Sequence, residues 1–237
     1  MKKHIPNTIT CCNLISGCIA IVYAINGIPS LALIWIIAGA VFDFFDGMSA
    51  RLLGVSSPIG KELDSLADVV TFGVAPSCIL FDFLCSFHQH IILLPFAAFL
   101  IAAFSALRLA KFNLDERQTT SFIGLPTPAN ALFWGSLIVW MESTLKVDVH
   151  GLPNATLAVF IAMILLSCWL LVAELPLFAL KFKHWGWKNN EVKYIFVLTS
   201  ILLIACPLLM GFGIIGITLT ITWYVLLSAI VALKRNA

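Results

Sequence analysis

Apolar residues run along this chain in long unbroken stretches, separated by short polar clusters rather than alternating with polar positions. A helix that crosses a bilayer needs about 20 mostly apolar residues, so stretches of that length count as spans. Eight are found, near 8–25, 30–52, 60–86, 91–112, 128–146, 154–179, 193–210 and 212–233. Turn-forming sequences at Asn26-Gly27-Ile28-Pro29, Gly151-Leu152-Pro153 and Gly211-Phe212-Gly213 divide neighbouring spans. The absence of period-two alternation excludes a β-barrel. The pattern predicts an all-α integral membrane protein, a bundle of about eight transmembrane helices with both termini cytoplasmic.

Composition supports this assignment and narrows it. Of 237 residues, 61% are hydrophobic and 11% charged, against roughly 25% charged in a soluble domain. A cytosolic enzyme, a nucleic-acid binder and a disordered tail are excluded on that basis. With cytoplasmic termini, thirteen of the fourteen basic residues fall at cytoplasmic helix ends and loops, and Lys146 alone falls outside. The positive-inside rule therefore orients the bundle in the cell (inner) membrane. Met1-Lys2-Lys3-His4 resembles the start of a signal peptide, but Pro6, Asn7 and Asn13 interrupt the following stretch, which is read instead as a span. The seven cysteines lie in apolar spans, are odd in number and form no metal-type pairs, so free, buried, hydrophobe-like thiols are expected.

The rare acids are not spread evenly. Four of the seven aspartates fall between positions 43 and 68, where the second span meets the third. Carboxylates in a membrane segment are costly and mark a functional site by default. Asp43 and Asp46 are three apart and share a helix face with Gly47 and Ala50, while Gly60, Asp64 and Asp68 recur every four residues on the next helix. Two carboxylates from each helix thus face a common space. Four carboxylates that close need cations to remain ionised. Hard divalent ions suit an all-oxygen cage, and paired ions are a recurring device for displacement at phosphorus. The small residues Gly47, Ala50 and Gly60 allow a ligand or a neighbouring backbone to come close.

The string Asp43-x2-Asp46-Gly47-x2-Ala50-Arg51-x8-Gly60-x3-Asp64-x3-Asp68 resembles, at every fixed position, the signature of the CDP-alcohol phosphotransferase family of integral membrane enzymes. Within that family the chain is most similar to the branch whose acceptor is L-serine. This closer resemblance rests on Pro6-Asn7-x2-Thr10, the run from Ser65 to Pro76, Arg108 to Asn113, and Phe122 to Ala129. Lys111 stands where that branch is expected to have arginine. The resemblance implies that Asp43, Asp46 and Asp64 bind two divalent cations, Mg2+ or Mn2+, and that Asp68 lies near the second ion and acts as general base. It also implies that Gly47, Arg51 and Ser57 contact the cytidine diphosphate head of CDP-diacylglycerol, with Asn7 and Thr10 completing the pocket beside Ala50 and Gly60. The implied reaction transfers a phosphatidyl group to the hydroxyl of L-serine and releases CMP, and the implied assembly is a homodimer.

The serine carboxylate needs a cation, and Arg108, Lys111 and Asn113 at the end of the fourth span are candidates, although Arg108 and Lys111 also suit orientation anchors at a helix C-terminus. The resemblance favours a substrate role for Arg108. The loop from Phe122 to Ala129, with a glycine and two prolines, is expected to be rigid. The chain is read as one membrane domain over 1–237, with a catalytic core over about 1–180 and two additional spans over about 193–233. Two alternatives remain. Glycerol phosphate or inositol phosphate as acceptor would call for more basic residues near the aspartates than Arg51, Lys61, Arg108 and Lys111. A cation transporter using the aspartates would call for inverted repeats and broken helices.

Overall fold

The computed structural model describes residues 4–55, 57–87, 93–114, 122–144, 154–178, 186–187 and 190–236. Each of the eight predicted spans is a helical rod. Helix α1 (His4–Ile25) starts earlier than predicted and takes Asn7 and Thr10 into its first turns. Helix α2 (Pro29–Leu53) starts on a proline, whose fixed φ suits the first helical turn. It stops at Gly54, whose φ of 61° lets its N–H turn back to the carbonyls of Ala50 and Arg51. The third rod joins α3 (Pro58–Asp68), a π-helical stretch (Val69–Val74) and α4 (Ala75–Phe87). The fourth joins a 3-10 turn (Leu94–Ala98) to α5 (Phe99–Leu114). Then come α6 (Thr127–Ser143), α7 (Asn154–Val172), α8 (Glu191–Leu209) and α9 (Ile215–Asn236). Among the described residues seven rods are long and apolar enough to cross a membrane. The remaining rod, α6, has 17 residues, or about 25 Å of helix.

The bundle is organised around α1. Pro6, Thr10, Asn13, Gly17, Ala20 and Ala24 are buried at alternating spacings of three and four, which places them on one face. That face packs along α2 and against α3, α4 and the π-helical stretch. In lipid there is no hydrophobic drive to join helices, so close packing through small residues takes its place. Gly39 of α2 illustrates this: a Cβ there would lie 2.9 Å from Asn13 Oδ1. Phe72, Ile79, Phe83, Trp134 and Ile138 fill the centre. Leu198, Leu202 and Leu209 of α8 are among many exposed apolar side chains, as expected of a surface solvated by acyl chains.

The third span holds as predicted, with a π turn directly after Asp68. The sixth span is corrected: it ends at Val172 rather than near 179. There the chain leaves the helix and pairs antiparallel, β2 (Pro176–Leu177) against β1 (Phe122–Ile123). Leu170 O accepts from Leu125 N at 2.8 Å and Leu175 O from Gly124 N at 3.1 Å. Pro176, having no N–H, could not have continued the helical ladder. The predicted rigid loop is therefore strapped to the end of α7. Gly124 is required in it, with φ 75° and space for a Cβ blocked by Leu171 O at 2.7 Å. The seven cysteines are free, as expected, but only Cys78 and Cys168 are buried, because Cys11, Cys18, Cys85 and Cys206 lie on outward helix faces and are exposed. Lys2, Lys3, Arg117, Lys146, Lys181, Lys183, Lys188 and the side chains of Lys234 and Arg235, which carry much of the charge-based orientation, lie outside the described residues.

Candidate active site

Helices α2 and α3 both pack on α1, and their aspartates meet across the space between them. Asp43 of α2 and Asp64 and Asp68 of α3 bring carboxylate oxygens within 4.8 Å of one another, close enough to share a metal ion. Asp68 is buried, and Asp43 and Asp64 are half-buried. Asp64 Oδ1 is buried with no hydrogen-bond partner among the described residues. A buried acceptor left unpaired costs about 1–3 kcal/mol. An oxygen-only donor set with an orphaned acceptor fits a hard divalent cation.

Asp46 stands apart from these three. Three residues along α2 from Asp43, it is rotated toward α1, where its Oδ2 accepts a 2.6 Å hydrogen bond from Thr10 Oγ1. It lines a cavity of about 260 Å³ between α1, α2 and α3. Asn7, Thr10, Gly47, Ala50, Ser57 and Gly60 also line it, six of the seven residues predicted for the nucleotide head. The local structure explains their convergence. Ser57 caps α3 by accepting from Gly60 N at 3.0 Å. Gly60 has no side chain where a Cβ would come within 3.2 Å of Asn7 Oδ1. Gly47 faces open space, with nothing within 4 Å of a Cβ built there. The seventh, Arg51, is exposed in the last turn of α2 and is not part of this lining.

The predicted serine-binding residues are placed differently from one another. Arg108 is buried at 7% exposure, its Nε has no partner among the described residues, and its guanidinium carbon lies 5.9 Å from the centre of the Phe112 ring. Lys111 is exposed. Asn113 ties α5 to α3: its Nδ2 donates to Ser65 Oγ at 2.8 Å, and its carbonyl accepts from Lys61 Nζ at 2.8 Å.

Sequence reasoning missed Asn13. Fully buried on α1, it donates from Nδ2 to Asp68 Oδ1 at 3.1 Å, while its carbonyl accepts from Thr71 Oγ1 in the π turn at 3.0 Å. A signal was present: Asn7, Thr10, Asn13 and Ser16 recur every three residues in an otherwise apolar helix, and polar groups so placed need partners inside the bundle.

Fold and site together define an integral membrane protein with an acidic, oxygen-lined centre beside a cavity at the end of its helices. The sequence profile described as CDP-alcohol phosphatidyltransferase matches residues 3–185, and the chain belongs to that family. Among similar curated proteins, one of Bacillus subtilis (strain 168) is 41% identical over 146 residues, covering 60% of this chain and 77% of its own. One of Helicobacter pylori (strain ATCC 700392 / 26695) is 34% identical over 194 residues, 81% of this chain and 79% of its own. One of Methanocaldococcus jannaschii is 35% identical over 163 residues, 69% of this chain and 71% of its own. All three are named CDP-diacylglycerol--serine O-phosphatidyltransferase. Nothing in these similarities supports a cation transporter.

Proposed function

We infer that this chain transfers a phosphatidyl group from CDP-diacylglycerol to the hydroxyl of L-serine, giving phosphatidylserine and CMP. The observation that carries the reading is the meeting of Asp43, Asp64 and Asp68 within 4.8 Å beside the cavity that Asn7, Thr10, Gly47 and Ser57 line. The names of the relatives point to the same reaction.

In this reading the cytidine diphosphate enters between α1, α2 and α3, and the lipid tails stay in the bilayer. Thr10 fixes Asp46 at the cavity wall. Asn13 holds Asp68 Oδ1, which leaves Oδ2 to take the proton from the serine hydroxyl, a weak nucleophile that needs a positioned base. Two divalent cations, Mg2+ or Mn2+, would be held by Asp43, Asp46 and Asp64 with Asp68 near the second ion, and would supply positive charge against the negative charge developing on departing CMP. Arg108, buried with its Nε unpaired among the described residues, binds the serine carboxylate. The enzyme lies in the cell membrane with this site facing the cytoplasm, works as a homodimer, and has its catalytic core over about 1–180 with α8 and α9 added to it.

A phosphorylated acceptor would need a concentration of cations. Of the four basic residues near the aspartates, Arg51 and Lys111 are exposed, and Lys61 is bound to the Asn113 carbonyl. Serine fits this sparse supply better. The test is CMP release by the purified protein from CDP-diacylglycerol with L-serine, glycerol 3-phosphate or inositol phosphate offered separately. Release is expected with serine; release with a phosphorylated alcohol and none with serine would overturn the assignment.

A further inference from the structure

A second cavity, of about 210 Å³, lies between α6, α7 and α9 and shares no lining residue with the nucleotide cavity. Its walls are apolar, formed by Phe133, Met163, Leu170 and Ile221 among others. Leu166 and Leu226 at its edge are 54% and 52% exposed, so it opens on the surface that faces lipid.

One polar group in its wall is left over. Trp134 Nε1 donates to Ser167 Oγ at 3.0 Å, and Ser167 Oγ donates in turn to Asn130 Oδ1 at 2.5 Å. The chain stops there. Asn130 is fully buried and lines the cavity, yet its Nδ2 has no partner among the described residues. Ser167 and Thr222 are the other polar residues of the wall, and Thr222 donates its hydroxyl to Thr218 O at 2.9 Å. A trapped water needs two to four polar partners, and among the described residues Asn130 Nδ2 is the one buried lining atom left without a partner. Within a bilayer such a donor is expensive to leave unpaired. Among the described residues no charged side chain lines the cavity, which disfavours an ionised ligand group. A neutral acceptor on a long apolar body is what remains, and the ester carbonyl of an acyl chain has that form.

We propose that this cavity is a binding site for a phospholipid of the surrounding bilayer, with an acyl chain between α6, α7 and α9 and its ester carbonyl accepting from Asn130 Nδ2. The occupant is a bilayer lipid rather than the reacting one, because the nucleotide cavity draws its walls from α1, α2, α3 and the turn between α2 and α3. The site is therefore filled independently of catalysis and joins the added helix α9 to the core through a lipid.

The test uses the full chain in nanodiscs of ester-linked phosphatidylglycerol containing a trace of the same lipid with a mid-chain diazirine. Photolysis is followed by peptide mass spectrometry. Label is expected to concentrate on the α7 and α9 peptides bearing Met163, Leu166 and Leu226. An ether-linked probe of equal length, lacking the carbonyl, is expected to label them about fivefold less, the net effect of one hydrogen bond. Leu170→Trp, which fills the cavity and leaves the Asn130, Ser167 and Trp134 chain in place, is expected to remove the label, and excess CDP-diacylglycerol to leave it. Uniform labelling of the lipid-facing surface, equal labelling by ester and ether probes, or undiminished labelling in L170W would overturn the site. Loss of label on adding CDP-diacylglycerol would overturn the bilayer lipid as occupant and assign the cavity to the substrate's own chains.

Discussion

Gly47→Ala sets stability and activity against each other at one atom. Gly47 lies within α2 and lines the nucleotide cavity, and a Cβ built on it meets nothing within 4 Å. The protein alone therefore has room for the methyl group. Alanine is favoured over glycine in a helix interior by about 0.8–1.0 kcal/mol, so the variant should fold with a melting temperature equal to the parent's or a few degrees higher. If the diphosphate head packs against this face, the methyl group overfills the occupied cavity. Overpacking costs about 1–3 kcal/mol, which corresponds to kcat/KM for CDP-diacylglycerol lower by roughly 5- to 150-fold. The assay is serine-dependent CMP release in mixed micelles over a range of CDP-diacylglycerol mole fractions, with thermal unfolding of the same preparations. Unchanged kcat/KM in a well-folded G47A protein would refute the placement of the head against α2. A melting temperature lower by many degrees would refute the open space at Gly47.

Other outcomes follow from the same geometry. Asp68→Asn is expected to lower kcat at least about 100-fold, the contribution of a general base, while leaving CDP-diacylglycerol binding within about twofold by equilibrium titration, twofold being under 0.5 kcal/mol; Asp43→Asn should weaken binding as well as turnover. Asn13→Leu removes the bond to Asp68 Oδ1, and a hydrogen bond to a charged group is worth about 1.5–3 kcal/mol; kcat should fall roughly 10- to 150-fold at nearly constant KM for CDP-diacylglycerol. Gly124→Ala forces a side chain into positive φ and against Leu171 O, a strain of about 1–3 kcal/mol to be read as a lower melting temperature. Stripping divalent ions with a chelator should abolish CMP release, and adding back Mg2+ or Mn2+ should restore it.

Much of the bundle was legible because bilayer thickness imposes one length on every span, and runs of apolar residues report it directly. The aspartate helices were legible for a related reason: a carboxylate in a membrane helix is too costly to be incidental, and spacings of three and four reveal a shared face. The finer arrangement was not. Asp43 and Asp46 share that face in sequence, yet one meets Asp64 and Asp68 of α3 and the other accepts from Thr10 of α1, contacts between helices that spacing along one helix does not report. In the π turn after Asp68, Thr71 reaches Asn13 O across the bundle, a contact between residues far apart in the chain. The early end of α7 is similar: Leu170 O in its last turn accepts from Leu125 N, and Leu175 O just beyond it from Gly124 N. Arg108 and Lys111 look alike in sequence, and burial alone separates them.

The central claim is that the serine hydroxyl attacks the lipid donor at the aspartate centre. Isotope-labelled L-serine, CDP-diacylglycerol and Mg2+ given to the purified protein test it directly, with lipid products read by mass spectrometry and CMP measured alongside. The account predicts labelled phosphatidylserine formed in equal amount to CMP, and neither product from D68N. CMP release without serine in any lipid, or labelled phosphatidylserine formed equally well by D68N, would contradict it.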